Sequence, residues 1–194
     1  MRHGPKGIGA LYVRKETGLS PIVFGGGQER GLRSATENVA GIVGFGAAAE
    51  IARKELSQEA TRLQQLREHL AVELSRRFPQ SYLFGHPVQR LPGHLSFGLR
   101  GSEGELGKLL AALDSAGVAV SAGSACSAHH SGEPSGVVRA MGYDPERARG
   151  LLRVSLGRFN TVQEVDCFLD VLSNAVDALT PAQAGARTAE VVFA

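Results

Sequence analysis

The chain has 194 residues, of which 43% are hydrophobic and 21% are charged, an ordinary balance for a soluble globular protein. Its formal net charge of +2 at pH 7 is too small to favour nucleic acid or an anionic membrane as a partner, and the basic residues are scattered along the chain. No apolar run is long enough to span a bilayer and the N-terminus shows no apolar signal segment, so we expect a cytoplasmic protein.

The first part of the chain combines one predicted strand with a long loop. Residues 8–14 are apolar and follow a Gly-Pro-Lys-Gly turn, which predicts a short buried strand. Residues 15–37 show no regular pattern and contain a triple glycine at Gly25 with a group of polar side chains after it. A loop of this length inside a globular chain is typically functional or disordered.

A long helix is predicted over residues 38–78. Large apolar residues recur every three or four positions and share one face, namely Leu63, Leu66, Leu70, Leu74 and Phe78. Pro79 ends the helix, and a break near Ser57 is an open alternative. The glycines at positions 41, 44 and 46 weaken helix propensity, so we expect them to permit close packing against another backbone.

The remainder of the chain is predicted to be a small α/β unit. Strands are predicted over residues 82–84, 94–99, 118–120 and 151–156, and helices over residues 103–116, 135–141, 145–149 and 161–179. Gly117 is the expected C-cap of one helix, and Thr161 with Glu164 forms the capping box of the last. Residues 180–194 are predicted to be a frayed tail.

The two cysteines, Cys126 and Cys167, lack the spacing of a disulfide framework or a zinc site, so no metal site is predicted. Cys126 lies among small residues in Ser-Ala-Gly-Ser-Ala-Cys-Ser-Ala, where a thiol would be accessible, and His129 and His130 could lower its pKa. A nucleophilic cysteine and a free cysteine in a tight turn both fit this pattern. Cys167 lies in an amphipathic segment and is predicted to pack in the core.

Four segments occurring in one order together resemble the cysteine desulfurases, pyridoxal-phosphate (PLP) enzymes of the class V aminotransferase family. The segments are residues 3–13, 25–38, 117–127 with Glu133-Pro134-Ser135, and 152–161. The resemblance implies an α/β fold, the C-terminal part of a fold type I PLP-dependent transferase. That part comprises a remnant of the PLP-binding large-domain sheet with the start of a linking helix (1–60), a small α/β domain with the cysteine loop (61–180) and a tail (181–194).

The resemblance also implies a role for three side chains. Cys126 matches the catalytic cysteine that attacks the sulfur of a PLP-bound cysteine and becomes a persulfide, with release of alanine. Arg153 matches the arginine that binds the substrate carboxylate, although an arginine on a strand edge is also typical of a surface ion pair. Thr36 matches a residue that contacts the cofactor phosphate of the opposite subunit in a homodimer, and a simple helix cap is the alternative for residues 36–38.

Two departures from the family pattern are visible. The family places the lysine that anchors PLP covalently three positions before Gly4, where this sequence has Met1, so the chain is expected to be inactive and poorly soluble or self-associated by itself. Ala35 stands where the family usually has glycine, and alanine is strained if that position requires a positive φ.

The function that the resemblance implies is PLP-dependent removal of sulfur from L-cysteine, which supplies iron–sulfur cluster or thiocofactor assembly through a sulfur-acceptor scaffold protein. A selenocysteine lyase is an alternative with the same motifs. Two further alternatives are a non-catalytic fragment or interaction module that binds a full-length subunit, and a PLP-independent sulfur carrier that uses Cys126.

Overall fold

The structure is a computed structural model that describes residues 4–123 and 135–179. The chain divides into two compact units, Met1–Gln58 and Glu59–Ala194. Among the residues that the structure describes, no helix is both long and apolar enough to cross a membrane.

The first unit contains no β-strand among its described residues, so the predicted strand over residues 8–14 is wrong. Leu11 and Tyr12 expose 75% and 90% of their surface. A strand requires a hydrogen-bonding neighbour as well as an apolar sequence, and no described segment pairs with this one. Residues 15–37 are irregular as predicted, apart from one short 3₁₀ turn at Glu29–Gly31.

Helix α1 extends over Val39–Arg77 without a break near Ser57, in agreement with the predicted long helix. Its N-cap is Asn38, whose Oδ1 accepts a hydrogen bond of 3.0 Å from the backbone N–H of Gly41. An added Cβ on Gly44 would lie 2.6 Å from Cγ of Pro5, so this glycine packs closely against a side chain and not against the backbone that was expected. Nothing described lies within 4 Å of a Cβ added to Gly46, so close packing is not observed there.

The second unit contains a four-stranded antiparallel sheet with the order β1-β2-β4-β3. The strands are β1 (Ser81–Leu83), β2 (His94–Leu99), β3 (Ser121–Ala122) and β4 (Leu152–Ser155). The strand predicted over residues 118–120 begins later, at Ser121. The backbone N–H of Val118 donates to the carbonyl of Leu113, so this stretch still closes the end of the preceding helix.

The described part of the second unit also contains helices α2 (Leu106–Ser115), α3 (Gly136–Ala140), α4 (Pro145–Arg149) and α5 (Val162–Leu179). The residues predicted to begin α2 form a separate 3₁₀ turn, Glu103–Glu105. Gly117 has a φ of +79°, as its predicted capping role requires. The capping box is confirmed, because Glu164 N–H donates to Thr161 Oγ1 at 3.2 Å and Thr161 N–H donates to Glu164 Oε2 at 3.0 Å.

The main hydrophobic core lies on one face of the sheet, between the strands and helices α1, α2 and α5. Its most deeply buried side chains are Phe97, Leu70, Leu74, Leu95, Leu113, Leu152, Leu169 and Leu172. Burial of each such side chain contributes about 1.5–3 kcal/mol. Because successive side chains of a strand point to opposite faces, the residues between Leu95 and Phe97 and between Leu152 and Val154 point away from this core.

Cys167 is exposed, so the prediction that it packs in the core is wrong. The buried face of α5 consists of positions 165, 168, 169 and 172, which follow the helical repeat. Position 167 falls on the opposite side of that repeat. An amphipathic segment predicts a buried face, but the angular position of residue 167 on the helix places its thiol outside that face.

Candidate functional site

The second unit contains a cavity of about 420 Å³ on the side of the sheet that faces away from the main core. Its polar lining comes from β2, from β4 and from the loop before β2, and includes His86, Gln89, Arg90, His94, Ser96 and Arg153. Phe84, Val138 and Leu151 close part of it and belong to a small second cluster of buried apolar side chains. The cavity therefore joins a polar sheet face to an apolar wall, the usual composition of a small-molecule site.

Arg153 lies on β4, in the middle of the polar face. The strand register places it between Ser96 of β2 and Ser121 of β3, and one guanidinium nitrogen (Nη2) donates to Ser121 Oγ at 2.9 Å. Its Nε is buried and has no acceptor among the described residues. No described carboxylate forms an ion pair with Arg153, so the surface ion pair that the sequence left open is not observed within the described part. A buried guanidinium donor without an acceptor is suited to an anionic ligand.

His94 was not identified from the sequence, and it lines the same cavity from β2. Its Nε2 lies 3.0 Å from Ser96 Oγ and its Nδ1 lies 3.5 Å from Ser155 Oγ. Burial, followed by the positive charges of Arg153 and Arg90, lowers the pKa of His94 below its ordinary value. The imidazole is therefore neutral at neutral pH. The alternation of polar positions 94 and 96 with apolar positions 95, 97 and 99 is the signal that could have placed it on the cavity side.

Arg90 holds the loop that forms one side of the cavity. Its Nε donates to the carbonyl of His86 at 2.8 Å and its Nη2 donates to the carbonyl of Phe84 at 3.2 Å. Burial, and after it the neighbouring charge of Arg67, lowers the pKa of Arg90. Arg90 thus adds a second positive charge to the cavity while its donors fix the loop.

Cys126, His129, His130 and Glu133 lie outside the described residues, as does the predicted tail of residues 180–194. The described residues on either side of the cysteine segment, Gly123 and Ser135, both line the Arg153 cavity. The backbone N–H of Gly123 donates to the carbonyl of Leu151 at 3.1 Å, and Ser135 is only 5% exposed. The two described residues that flank the cysteine segment therefore both belong to the cavity wall.

Thr36 lies in the first unit, where it is exposed. The residue before it, Ala35, has a φ of +119°, the positive value that the sequence comparison with glycine anticipated. Gln28 supports this turn, because its Oε1 accepts from the backbone N–H of Ala35 at 3.3 Å. In the stretch 36–38 the capping side chain is that of Asn38.

Two described side chains have donors that suit the anionic groups of a PLP–amino-acid complex, its carboxylate and its phosphate. The buried Nε of Arg153 lacks an acceptor and suits a carboxylate. The exposed hydroxyl of Thr36 is a suitable phosphate ligand. None of the residues that line the cavity is a lysine, so the described cavity wall offers no covalent anchor for the cofactor.

The chain matches a known protein family over most of its length. Residues 2–168 match the family model of aminotransferase class-V. The chain belongs to the aminotransferase class-V family. The α/β fold and the family expected from the sequence are thereby confirmed.

Individual relatives agree with this assignment. The cysteine desulfurase IscS 1 of Archaeoglobus fulgidus is 47% identical over 177 residues, which cover 91% of this chain and 45% of the relative. A cysteine desulfurase of Gluconacetobacter diazotrophicus is 43% identical over an alignment of 195 residues, which covers 99% of this chain and 48% of the relative. The chain thus spans slightly less than half the length of these relatives.

A solved structure of a NifS-like protein superposes with a TM-score of 0.78 at 37% identity, covering 91% of this chain and 44% of that one. A NifS-like protein from Rickettsia africae gives a TM-score of 0.69 at 30% identity, covering 81% of this chain and 40% of that one. The fold seen here is therefore that of the corresponding part of these proteins.

Proposed function

We propose that this chain forms part of a cysteine desulfurase, a PLP-dependent enzyme that removes sulfur from L-cysteine. The relatives named above as cysteine desulfurases support the proposal, with identities of 47% and 43% over most of this chain. The observation that carries it is the cavity of the second unit, which is lined by Arg153, whose Nε has no acceptor among the described residues, and by Gly123 and Ser135, the described residues on either side of the segment that contains Cys126.

In this proposal Arg153 binds the carboxylate of the amino acid. Ser121 Oγ orients one guanidinium nitrogen at 2.9 Å, and no described residue accepts a hydrogen bond from the buried Nε. A guanidinium can grip a carboxylate through two parallel charge-assisted hydrogen bonds, whereas a lysine offers only a point charge. Arg153 thus fixes the position and the direction of the substrate.

Cys126 is the proposed nucleophile. It follows Gly123 by three residues, and three residues of extended chain span at most about 11 Å, a length comparable with the size of the cavity. The thiolate attacks the sulfur of the substrate, so that a sulfur–sulfur bond forms as the carbon–sulfur bond breaks. Overall, a protein thiol and cysteine yield a protein persulfide and alanine. Atoms and electrons balance without an external oxidant, because the sulfurs are oxidised while the β-carbon is reduced.

PLP, when bound, supplies the electron sink that lets the bond from the β-carbon to sulfur break. Thr36 is proposed to contact the phosphate of the cofactor, in a homodimer in which this loop serves the opposite subunit. Residues 1–60 would then belong to the PLP-binding large domain and residues 61–180 to the small domain. The persulfide passes to an acceptor protein for iron–sulfur cluster or thiocofactor assembly, in a cytoplasm where thiols remain reduced.

The proposal is tested by measuring alanine release from L-cysteine with the complete gene product that carries this chain. We expect Cys126→Ser to abolish turnover, and mass spectrometry to find one added sulfur on Cys126 in the unsubstituted protein after reaction. Alanine release that persists in Cys126→Ser would refute the role of the thiol. An absence of alanine under all conditions would refute the activity.

Arg153→Lys separates binding from chemistry. It keeps the positive charge but loses the bidentate geometry, so we expect KM for L-cysteine to rise at least tenfold, the equivalent of about 1.4 kcal/mol. Arg100→Lys, the same change at an exposed position outside the cavity lining, is the matched control and should leave KM within about twofold of the unsubstituted protein. Equal KM values for the Arg153 and Arg100 variants would contradict the carboxylate assignment.

A further inference from the structure

His94 and Arg153 are neighbours on the polar face of the sheet. Ser96 lies directly opposite Arg153 in the pairing of β2 with β4, and His94 lies directly opposite Ser155. His94 is therefore the diagonal neighbour of Arg153, a relation in which long side chains of adjacent strands reach one another. A ligand held by Arg153 inside a cavity of about 420 Å³ lies within reach of the imidazole.

Two positively charged side chains act on His94, namely Arg153 of β4 and Arg90 of the loop before β2. His86, on the same loop as Arg90, is a further titratable side chain of the cavity lining. No aspartate or glutamate is among the described residues that line this cavity. Each positive charge opposes protonation of the ring, and none of the described lining groups favours it.

The hydrogen-bond partners of His94 are compatible with both the neutral and the protonated imidazole. Both ring nitrogens face serine hydroxyls, Ser96 Oγ at 3.0 Å and Ser155 Oγ at 3.5 Å. A hydroxyl can donate to an unprotonated ring nitrogen and, after rotation, can accept from a protonated one. The ring can therefore gain a proton without leaving a buried donor unsatisfied.

We propose that His94 is a second ligand contact in the Arg153 cavity and takes up a proton when a carboxylate binds there. This inference rests on the proposed role of Arg153. A bound carboxylate adds a negative charge that offsets the guanidinium of Arg153, so the ring becomes easier to protonate. The positive charge of the resulting imidazolium then attracts the bound carboxylate, in addition to the hydrogen bonds that Arg153 can supply.

Protonation of His94 and binding of a carboxylate favour each other. Binding raises the pKa of His94, so ligand affinity is highest below the pKa of the free protein and falls as the pH rises through the pKa of the complex. Each unit by which the pKa rises corresponds to about a tenfold difference in affinity between these two limits. At a pH between the two pKa values, up to one proton is taken up for each ligand bound.

The inference can be tested on this chain by NMR titration of the histidine rings, with L-alanine as the probe. Its carboxylate stays ionised above about pH 5. L-Alaninamide, which lacks the carboxylate, is the matched ligand control, and His86 is the matched residue control. His86 lines the same cavity, but its Nδ1 accepts from the backbone N–H groups of Val88 and Gln89 at 3.1 and 2.9 Å.

We expect L-alanine to raise the pKa of His94 by about one unit and to perturb the ring signals of His86 less, whereas L-alaninamide should leave the pKa of His94 unchanged. His94→Gln identifies the signal and should make the affinity for L-alanine independent of pH between pH 5 and 8. If L-alanine shifts the signals of Arg153 and its neighbours while the pKa of His94 stays constant, the inference is overturned and the carboxylate site stands. If L-alanine shifts no signal of β4 at any pH, the role of Arg153 fails, and this inference fails with it.

Discussion

Arg62 joins helix α1 to the loop that follows β4, and its removal should destabilise the unit that contains the cavity. Its guanidinium donates to three backbone carbonyls, those of Asn160 at 2.8 Å, Gly157 at 2.9 Å and Arg158 at 2.9 Å. It also pairs with Glu59, one turn earlier on the same helix, at 2.8 Å. This loop begins two residues after Ser155 of β4, so Arg62 holds the end of the strand that carries Arg153.

The expected loss can be worked out from these contacts. A hydrogen bond to a charged donor contributes about 1.5–3 kcal/mol where water is excluded, and much less where water replaces it. The side chain of Arg62 is about one-third exposed. Replacement of all three carbonyl contacts by water should therefore cost about 2 kcal/mol in Arg62→Ala. The paired Glu59 adds only a few tenths, about 0.3–0.5 kcal/mol for a helical pair at this spacing.

Arg76→Ala is the matched control. Arg76 lies on the same helix and in the same unit, and it pairs with Glu73 three residues earlier at 2.7 Å, but its side chain is mainly exposed. Both variants replace arginine with alanine in one helix, so the difference in helix propensity largely cancels. We expect urea unfolding, followed by circular dichroism, to show a loss of about 0.5 kcal/mol or less for Arg76→Ala. Equal losses in the two variants would refute the argument that the carbonyl contacts stabilise this loop.

Three further changes have definite expected outcomes. Arg153→Met removes a positive charge near His94, so the pKa of His94 measured by NMR should rise toward its ordinary value; an unchanged pKa would show that the charge is not felt there. Gly98→Ala places a Cβ against the ring of Tyr82, which should lower the free energy of unfolding in urea by about 1–3 kcal/mol, and Tyr82→Leu in the same chain should recover part of this loss. A Gly98→Ala variant as stable as the parent would contradict that contact. Ala35→Gly relieves a φ of +119° and should stabilise the first unit by about 1 kcal/mol; a lower midpoint of thermal unfolding would oppose this.

Features that depend on neighbouring residues in the chain were predictable from the sequence. The apolar face of α1, the end of that helix before Pro79 and the capping box of α5 all follow from spacings of a few residues, and the structure confirms them. The positive φ of Ala35 was predictable for the same reason, because a conformation that favours glycine is a local property of the backbone.

Features that depend on distant partners were not predictable in the same way. Residues 8–14 have an apolar sequence suited to a strand, yet strand formation requires a neighbour that the described residues do not supply. The position of β3 depends on where the chain stops bonding to the end of α2. Because Val118 still donates to the carbonyl of Leu113, the strand begins at Ser121 and not at the predicted residue 118. His94 could not be predicted as a cavity residue near Arg153, because the two are diagonal neighbours on strands that are more than fifty residues apart in sequence.

The cavity and the main core constrain each other through the alternation of β4. Leu152 and Val154 are buried on the core face, whereas Arg153 points to the cavity face between two serines. A slip of one residue would bring Arg153 into the apolar core and Leu152 into the cavity. Burial of an unpaired guanidinium costs several kcal/mol, so the slipped register is strongly disfavoured. The position of the proposed carboxylate ligand is therefore fixed by packing on the opposite side of the sheet. The same buried leucine and valine that stabilise the unit also set the distance between Arg153 and His94.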